Sequence, residues 1–146
     1  MFICMSGPAG TGKSTMAEVL AKRYNAIIVS TDAIREELFG DAAIQDNPKE
    51  VFEIAYKRIE EGLRKTHKVI FDATNLSPKN RRDILEKAKV WNKGFNICYR
   101  ATTTEEIAKE RNQQRNRQVP DDVIQKQFTK YVEPSYEEGW DAIFEF

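Results

Sequence analysis

The sequence predicts a three-layer α/β fold, a parallel sheet of four or five strands between helices, and three observations carry that expectation. Short apolar runs alternate with longer stretches of helical periodicity along the whole chain. Small or acidic residues close the early apolar runs: a Gly-rich turn after Phe2–Met5, Asp32 shortly after Ala26–Val29, and Asp72 after Lys68–Phe71. Ser, Pro and Gly punctuate the helical stretches where caps and stops are needed. In such a sheet a ligand lies beyond the carboxyl ends of the strands, so those closing positions share one functional edge.

The elements follow in order. Phe2-Ile3-Cys4-Met5 reads as the first strand, and the helix after the Gly-rich turn presents Met16, Val19, Leu20 and Tyr24. Ala26–Val29 is the second strand, followed by a short helix through Phe39 and a loop from Gly40 to Asn47. Pro48 opens a helix with Val51, Ala55, Ile59 and Leu63 on one face. His67 begins the third strand, Lys68–Phe71, which closes on Asp72. Ser77 and Pro78 cap and open a helix carrying Ile84, Leu85, Ala88 and Trp91, with Gly94 as its stop. Phe95–Tyr99 is the fourth strand. A helix from about Thr103, an Arg-rich stretch and a helix carrying Val123, Ile124, Gln127, Phe128 and Tyr131 come next, and Ala142–Phe146 is the candidate fifth strand.

At 146 residues, 40% hydrophobic and 32% charged, the chain reads as a single globular domain over 1–146. No apolar run approaches a membrane span, and Met1–Ser6 lacks the basic lead-in of a secretory leader, so a cytoplasmic location is expected. Lys and Arg number 23, as do Asp and Glu, which argues against broad coating of nucleic acid but leaves room for a few local arginines. Cys4 and Cys98 lie in strands and read as reduced core thiols without a disulfide. The lone His67 has no partner with which to bind a metal.

Gly7-Pro8-Ala9-Gly10-Thr11-Gly12-Lys13-Ser14 fits G-x-x-x-x-G-K-[ST] at every fixed position. Glycines let successive N–H groups turn inward around phosphate oxygens, and the helix that follows adds its positive end. Those eight residues, with the adjoining Thr15, are the expected ATP-binding set. Lys13 is expected at the β- and γ-phosphates, and the Ser14 hydroxyl on Mg²⁺. The strand before and the amphipathic helix after distinguish this pattern from a chance Gly-rich turn.

Several chemistries use such a loop. A guanine-reading Asn-Lys-x-Asp tetrad is missing, since Asn92-Lys93-Gly94-Phe95 lacks the Asp, and Ala73 stands where a motor ATPase needs Glu after the strand-three Asp. An acidic residue after strand two and late arginines suit a kinase instead. Asp32 is the candidate general base, or else a helix N-cap. Arg35 lies one turn on and suits an acceptor phosphate, or else is a solvated surface Arg. Asp72 is placed to support Ser14 and Mg²⁺, or else to form a turn. Ile107, Arg111 and Arg115 recur at i, i+4, i+8, which suits a helical lid closing arginines over phosphates, or else an exposed helix end.

With these residues in place, the chain resembles the polynucleotide 5′-hydroxyl kinases of phage and bacterial nucleic-acid repair, over roughly Met1 to Tyr131. The resemblance rests on the phosphate loop, on Thr31-Asp32-Ala33-Ile34-Arg35, on the stretch from Asp72 to Arg82, and on Arg111 to Arg115 with Val119-Pro120-Asp121-Asp122-Val123. It implies ATP and Mg²⁺ as cofactors, with Lys13 and Ser14 gripping them and Asp72 supporting the site. It further implies Asp32 as the base on a nucleic-acid 5′-hydroxyl, Arg35 on the adjacent 3′-phosphate, and Arg111 and Arg115 as lid arginines. A kinase of a small-molecule hydroxyl on the same scaffold is the alternative, and a nucleotide-dependent switch is a more remote one.

Overall fold

A computed structural model of the chain describes residues 1–42, 47–116 and 118–146. The strands are β1 (Phe2–Ser6), β2 (Ile27–Ser30), β3 (Val69–Asp72), β4 (Asn96–Arg100) and β5 (Ala142–Glu145). They form one sheet in the order β2-β3-β1-β4-β5, every pairing parallel. The helices are α1 (Lys13–Tyr24), α2 (Thr31–Phe39), α3 (Pro48–Lys65), α4 (Pro78–Trp91), α5 (Glu105–Gln113) and α6 (Asp121–Lys130). No helix among the described residues is long and apolar enough to cross a membrane.

The alternation of side chains along a strand builds the layers. Phe2 and Cys4 of β1 face the side covered by α3 and α4, where Val51, Ala55, Ile59, Leu63, Ile84, Leu85 and Ala88 pack against Val69 and Phe71. Ile3 and Met5 face the other side, against Ala17 and Leu20 of α1. β1 and β3 are wholly buried, as expected of parallel strands covered on both faces. The crossovers deliver the carboxyl ends of β1, β2 and β3 to one edge, carrying Ser6, Ser30 and Asp72 with them.

Several local expectations shift. Val19 is 54% exposed, because Ala17 and Leu20, helped by Met16, Ala21 and Tyr24, already fill the inner stripe of α1. Trp91 is also largely exposed, with the Arg64 guanidinium 5.2 Å from its ring centroid. His67 does not begin a strand: it sits at φ 61° in the turn, and β3 starts at Val69. α4 ends at Trp91 and is capped by Asn92 rather than stopped by Gly94, since the Asn92 amide bonds the carbonyls of Gly94 and Phe95 and the side chain of Asn96. Phe95 consequently stays outside β4 and exposed. The fifth strand forms, with Cys98 opposite Ile143. Cys4 and Cys98 are buried register neighbours, and burial pushes the Cys4 thiol up.

Between β4 and β5 the chain runs back under the functional edge and contributes a buried ion pair. Arg81, in the first turn of α4, is fully buried, and its Nε and Nη2 donate to the Glu138 carboxylate at 2.7–3.2 Å. Its Nη1 donates to the Asn75 carbonyl at 2.8 Å, and Trp140 Nε1 donates to Glu138 at 2.8 Å. Nothing in the sequence pairs Arg81 with Glu138, 57 residues away. Removing one partner of a buried pair leaves an uncompensated charge, so Glu138→Leu or Arg81→Met alone is expected to cost about 3–5 kcal/mol in urea unfolding. The double replacement is expected to lose clearly less than the two single losses added; additive losses would show that the pair is not one unit.

Candidate phosphoryl-transfer site

The phosphate loop is shaped by its own glycines and by what lies behind it. Gly10 adopts φ 78°, and a Cβ there would stand 2.5 Å from the Ala108 carbonyl oxygen, so the body of α5 can press on the loop only at a glycine. Gly12, at φ 90°, makes the left-handed turn into α1. The root of the loop is tied to the β3–α4 connection: Gly7 N–H donates to the Thr74 carbonyl at 2.9 Å, and the Ser6 hydroxyl to the Asn75 carbonyl at 2.9 Å. Asn75 itself sits at φ 45° and donates its amide to the Met5 carbonyl at 2.7 Å.

Lys13 and Ser14 open α1. The Ser14 hydroxyl donates to Asp72 Oδ2 at 2.7 Å, bringing together the two oxygens expected around Mg²⁺. Hard oxygen donors in small number fit that ion, which keeps several of its waters. Lys13 is 9% exposed, and its ammonium donates to the Pro8 carbonyl at 2.8 Å. Burial pulls Lys13 down from 10.5 to about 8, Asp72 and Asp32 pull it back up, and Arg115 pushes it further down. Burial likewise raises Asp72, against the opposing pull of Lys13 and the Ser14 hydrogen bond. The charges of Asp72, Asp32 and Arg115 thus all bear on the Lys13 ammonium.

Asp32 is not the N-cap of α2. Ser30 takes that place, accepting from Ala33 N–H at 3.2 Å, so Asp32 stands in the first turn with its side chain half exposed at the strand edge. Arg35 Nη1 donates to Asp32 at 3.1 Å. The Arg35 side chain is only 11% exposed, and its Nε is buried without a hydrogen-bond partner. A buried guanidinium with an unmet donor beside a carboxylate is not the solvated surface arginine of the alternative reading.

The lid differs from the expected continuous helix. α5 ends at Gln113, so Ile107, Arg111 and Arg115 do not share one helical face, and Arg115 lies beyond the end. Arg111 approaches the loop from behind: its Nη1 lies 3.4 Å from the Thr103 hydroxyl and 3.6 Å from where a Gly12 Cβ would stand. A contact that sequence reasoning missed comes from α6. Gln127 Oε1 accepts from Ala9 N–H in the phosphate loop at 2.7 Å. Gln127 stood among the residues of that helix, but no local signal distinguishes a glutamine that will reach the loop. Thr15 follows Ser14 at the exposed start of α1.

The arrangement offers a cradle of amides, two cations, an oxygen pair for a metal and a carboxylate–arginine pair along one edge. The AAA domain family matches residues 2–134. An L-seryl-tRNA(Sec) kinase of Methanococcus maripaludis is 28% identical over 97% of the chain and 56% of its own length. By structure, the chain is similar to a gluconokinase of Sinorhizobium meliloti (TM-score 0.67, 20% identity, 98% of this chain and 79% of that one). It is also similar to a chain of the Pnkp1/Rnl/Hen1 RNA repair complex (TM-score 0.77, 20% identity, 88% of this chain and 43% of that one). The chain thus spans about half the length of the seryl-tRNA kinase and less than half of the repair chain. Glycine-lined loop, parallel sheet and matched span agree: the chain belongs to this AAA-domain family and has the phosphate-loop kinase fold.

Proposed function

We propose that the protein is an ATP-dependent kinase that moves the γ-phosphate to a hydroxyl, and that this hydroxyl is the 5′ end of a polynucleotide. The buried Arg35 Nε without a partner, next to Asp32, carries the acceptor part. It leaves a charged donor short of an acceptor a few ångströms from the proposed base, and an anion belonging to the substrate would complete it. In a nucleic-acid 5′ end, the nearest anion to the 5′-hydroxyl is the 3′-phosphate of the same nucleotide. Similarity to a seryl-tRNA kinase and to a chain of an RNA repair complex favours this reading; similarity to the gluconokinase favours a small-molecule acceptor.

Each residue then has a defined task. Gly7 to Ser14, with Thr15, cradle the phosphates of ATP, and Lys13 leaves the Pro8 carbonyl for the β- and γ-oxygens. Ser14 and Asp72 would hold Mg²⁺, which would supply charge neutralisation for the phosphates. Asp32 takes the proton of the acceptor hydroxyl as its oxygen attacks the γ-phosphorus and the bond to the ADP oxygen breaks. Arg35 holds the acceptor phosphate. Arg111 and Arg115 spread the charge of the transferring group.

Asp32→Ala is expected to lower turnover about 10²–10⁴-fold while ATP binding, read by calorimetry, stays near wild type. Retention of a tenth of the activity would remove Asp32 from the role of base. For the acceptor, a nucleoside 3′-monophosphate is expected to be a substrate and the plain nucleoside a poor one. The gap in kcat/KM corresponds to about 1.5–3 kcal/mol, and Arg35→Ala should close it by slowing only the phosphorylated acceptor. Equal use of both, or rapid phosphorylation of a sugar alone, would assign the enzyme to small molecules.

Lys13 supplies a pH test. With its ammonium held at about 8 rather than 10.5, the nucleotide-free chain has fewer protons bound above pH 8 than a solvated lysine would leave it. The ATP phosphates favour the charged form, so binding takes up protons between about pH 8 and 10.5, and affinity falls as pH rises through that window. Calorimetry at pH 8.5 in buffers of different ionisation heat should show the uptake, and Lys13→Met should abolish it. Proton release, or no difference between the two chains, would contradict the assignment.

A further inference from the structure

Beyond α5, the segment that carries Arg115 is tied back to that helix at Gln113 and, through both polar ends of one side chain, at Asn112. The N–H groups of Gln114 and Arg115 turn back onto the carbonyls of Arg111 and Asn112 at 3.2 Å each, which closes α5. Gln118 Nε2 then donates to the Gln113 carbonyl at 2.9 Å, and Val119 meets Asn112. There the Asn112 side chain accepts from Val119 N–H at 2.9 Å and donates to the Val119 carbonyl at 2.5 Å. Asn112 is 1% exposed. With one carboxamide it reproduces the two-bond exchange between facing residues of an antiparallel ladder, using its oxygen and an N–H together. Pro120 and α6 follow at once, so the clamp is also where the chain turns into the next helix.

Both flanks of the clamp rest on the phosphate loop. On one side the Ala108 carbonyl of α5 closes on Gly10. On the other, Gln127 of α6 accepts from Ala9 N–H at 2.7 Å. The two ends of the Arg115 segment are therefore held in one frame with the groups that cradle phosphate. Arg115 itself is close enough to push Lys13 down and to help hold Asp72 down. A buried asparagine that merely satisfied two backbone groups would matter for stability alone. Here those two groups bound the segment that carries Arg115.

We propose that Asn112 is a positioning residue for phosphoryl transfer, its carboxamide bracing the Arg115 segment so that the guanidinium meets the transferring phosphoryl group. The proposal rests on the role given to Arg115 above and is independent of which acceptor the enzyme uses. The side chain touches no reacting atom, so its effect on the reaction has to pass through Arg115.

The test uses the full chain, with magnesium ADP and with magnesium ADP plus aluminium fluoride, whose planar adduct stands in for the transferring phosphoryl group. Binding of each is measured by calorimetry. A misplaced catalytic group costs up to about 10²-fold, so Asn112→Ala should weaken the aluminium fluoride complex by 10- to 100-fold and leave ADP binding within about 2-fold. Arg115→Ala should do the same, and the double variant should be no weaker than Arg115→Ala alone. Asn112→Asp keeps the acceptor for Val119 N–H and guards against a chain that fails to fold; it should fall between the wild type and Asn112→Ala. Additive losses, equal loss of ADP and its adduct, or an Asn112→Ala chain that binds the adduct like the wild type would each overturn the proposal. An Arg115→Ala chain that binds the adduct normally would overturn the role of Arg115, and the bracing of it with it.

Discussion

The buried guanidinium of Arg81 is the constraint on which the rest of the site depends. Its planar fork meets Glu138 along one side and the Asn75 carbonyl on the other, with no exposed surface left. A charge so placed needs every donor answered, because the low-dielectric interior makes an unanswered one costly. Meeting that demand ties the start of α4, the turn after β3 and the segment before β5 together. Asn75 in turn bonds the Met5 carbonyl and receives the Ser6 hydroxyl, so the root of the phosphate loop hangs from the same network. The loop's rigidity thus comes from a distant part of the chain.

Beside that root, the candidate site holds two largely buried cations, Lys13 and Arg35. Lys13 rests on a carbonyl of its own loop, a weak partner for a buried ammonium, and its proton is loosened accordingly. Arg35 has one good bond to Asp32 and one buried donor without any. Both costs would be relieved by anions, which is how a site binds phosphate strongly while remaining open in its absence. Asp72 is raised by burial, yet Ser14 and Lys13 pull the other way, and the carboxylate stays tied to the hydroxyl beside it.

The lid follows a different principle. Its arginines are exposed or nearly so, and their placement is inherited from backbone contacts: Ala108 against Gly10, Gln127 on Ala9, Asn112 around Val119. A guanidinium at the end of a long side chain carries much rotamer entropy, and besides the Thr103 hydroxyl on Arg111 it is the frame that limits it. Arg111 and Arg115 accordingly belong to different local structures, a helix and the turn beyond it, although the spacing suggested one face.

Sequence alone determined the layers, the parallel sheet and the functional edge, because period-two and helical patterns and their punctuation are local properties. It also placed Lys13, Ser14, Asp32 and Asp72, since each follows directly on a strand whose end the sheet must align. Two kinds of feature stayed out of reach. Inward faces were misjudged where two candidates competed for one stripe, as with Val19 and Trp91, because only the packed neighbours decide which side chain is covered. Partnerships across the chain were invisible: Arg81 with Glu138 lies 57 residues apart and Ala9 with Gln127 lies 118 apart. Nothing in the residues near either partner encodes the other. The tertiary structure decided those pairings, because a buried charge or a loop amide is answered by whatever group the fold brings within about 3 Å, wherever it lies in the sequence.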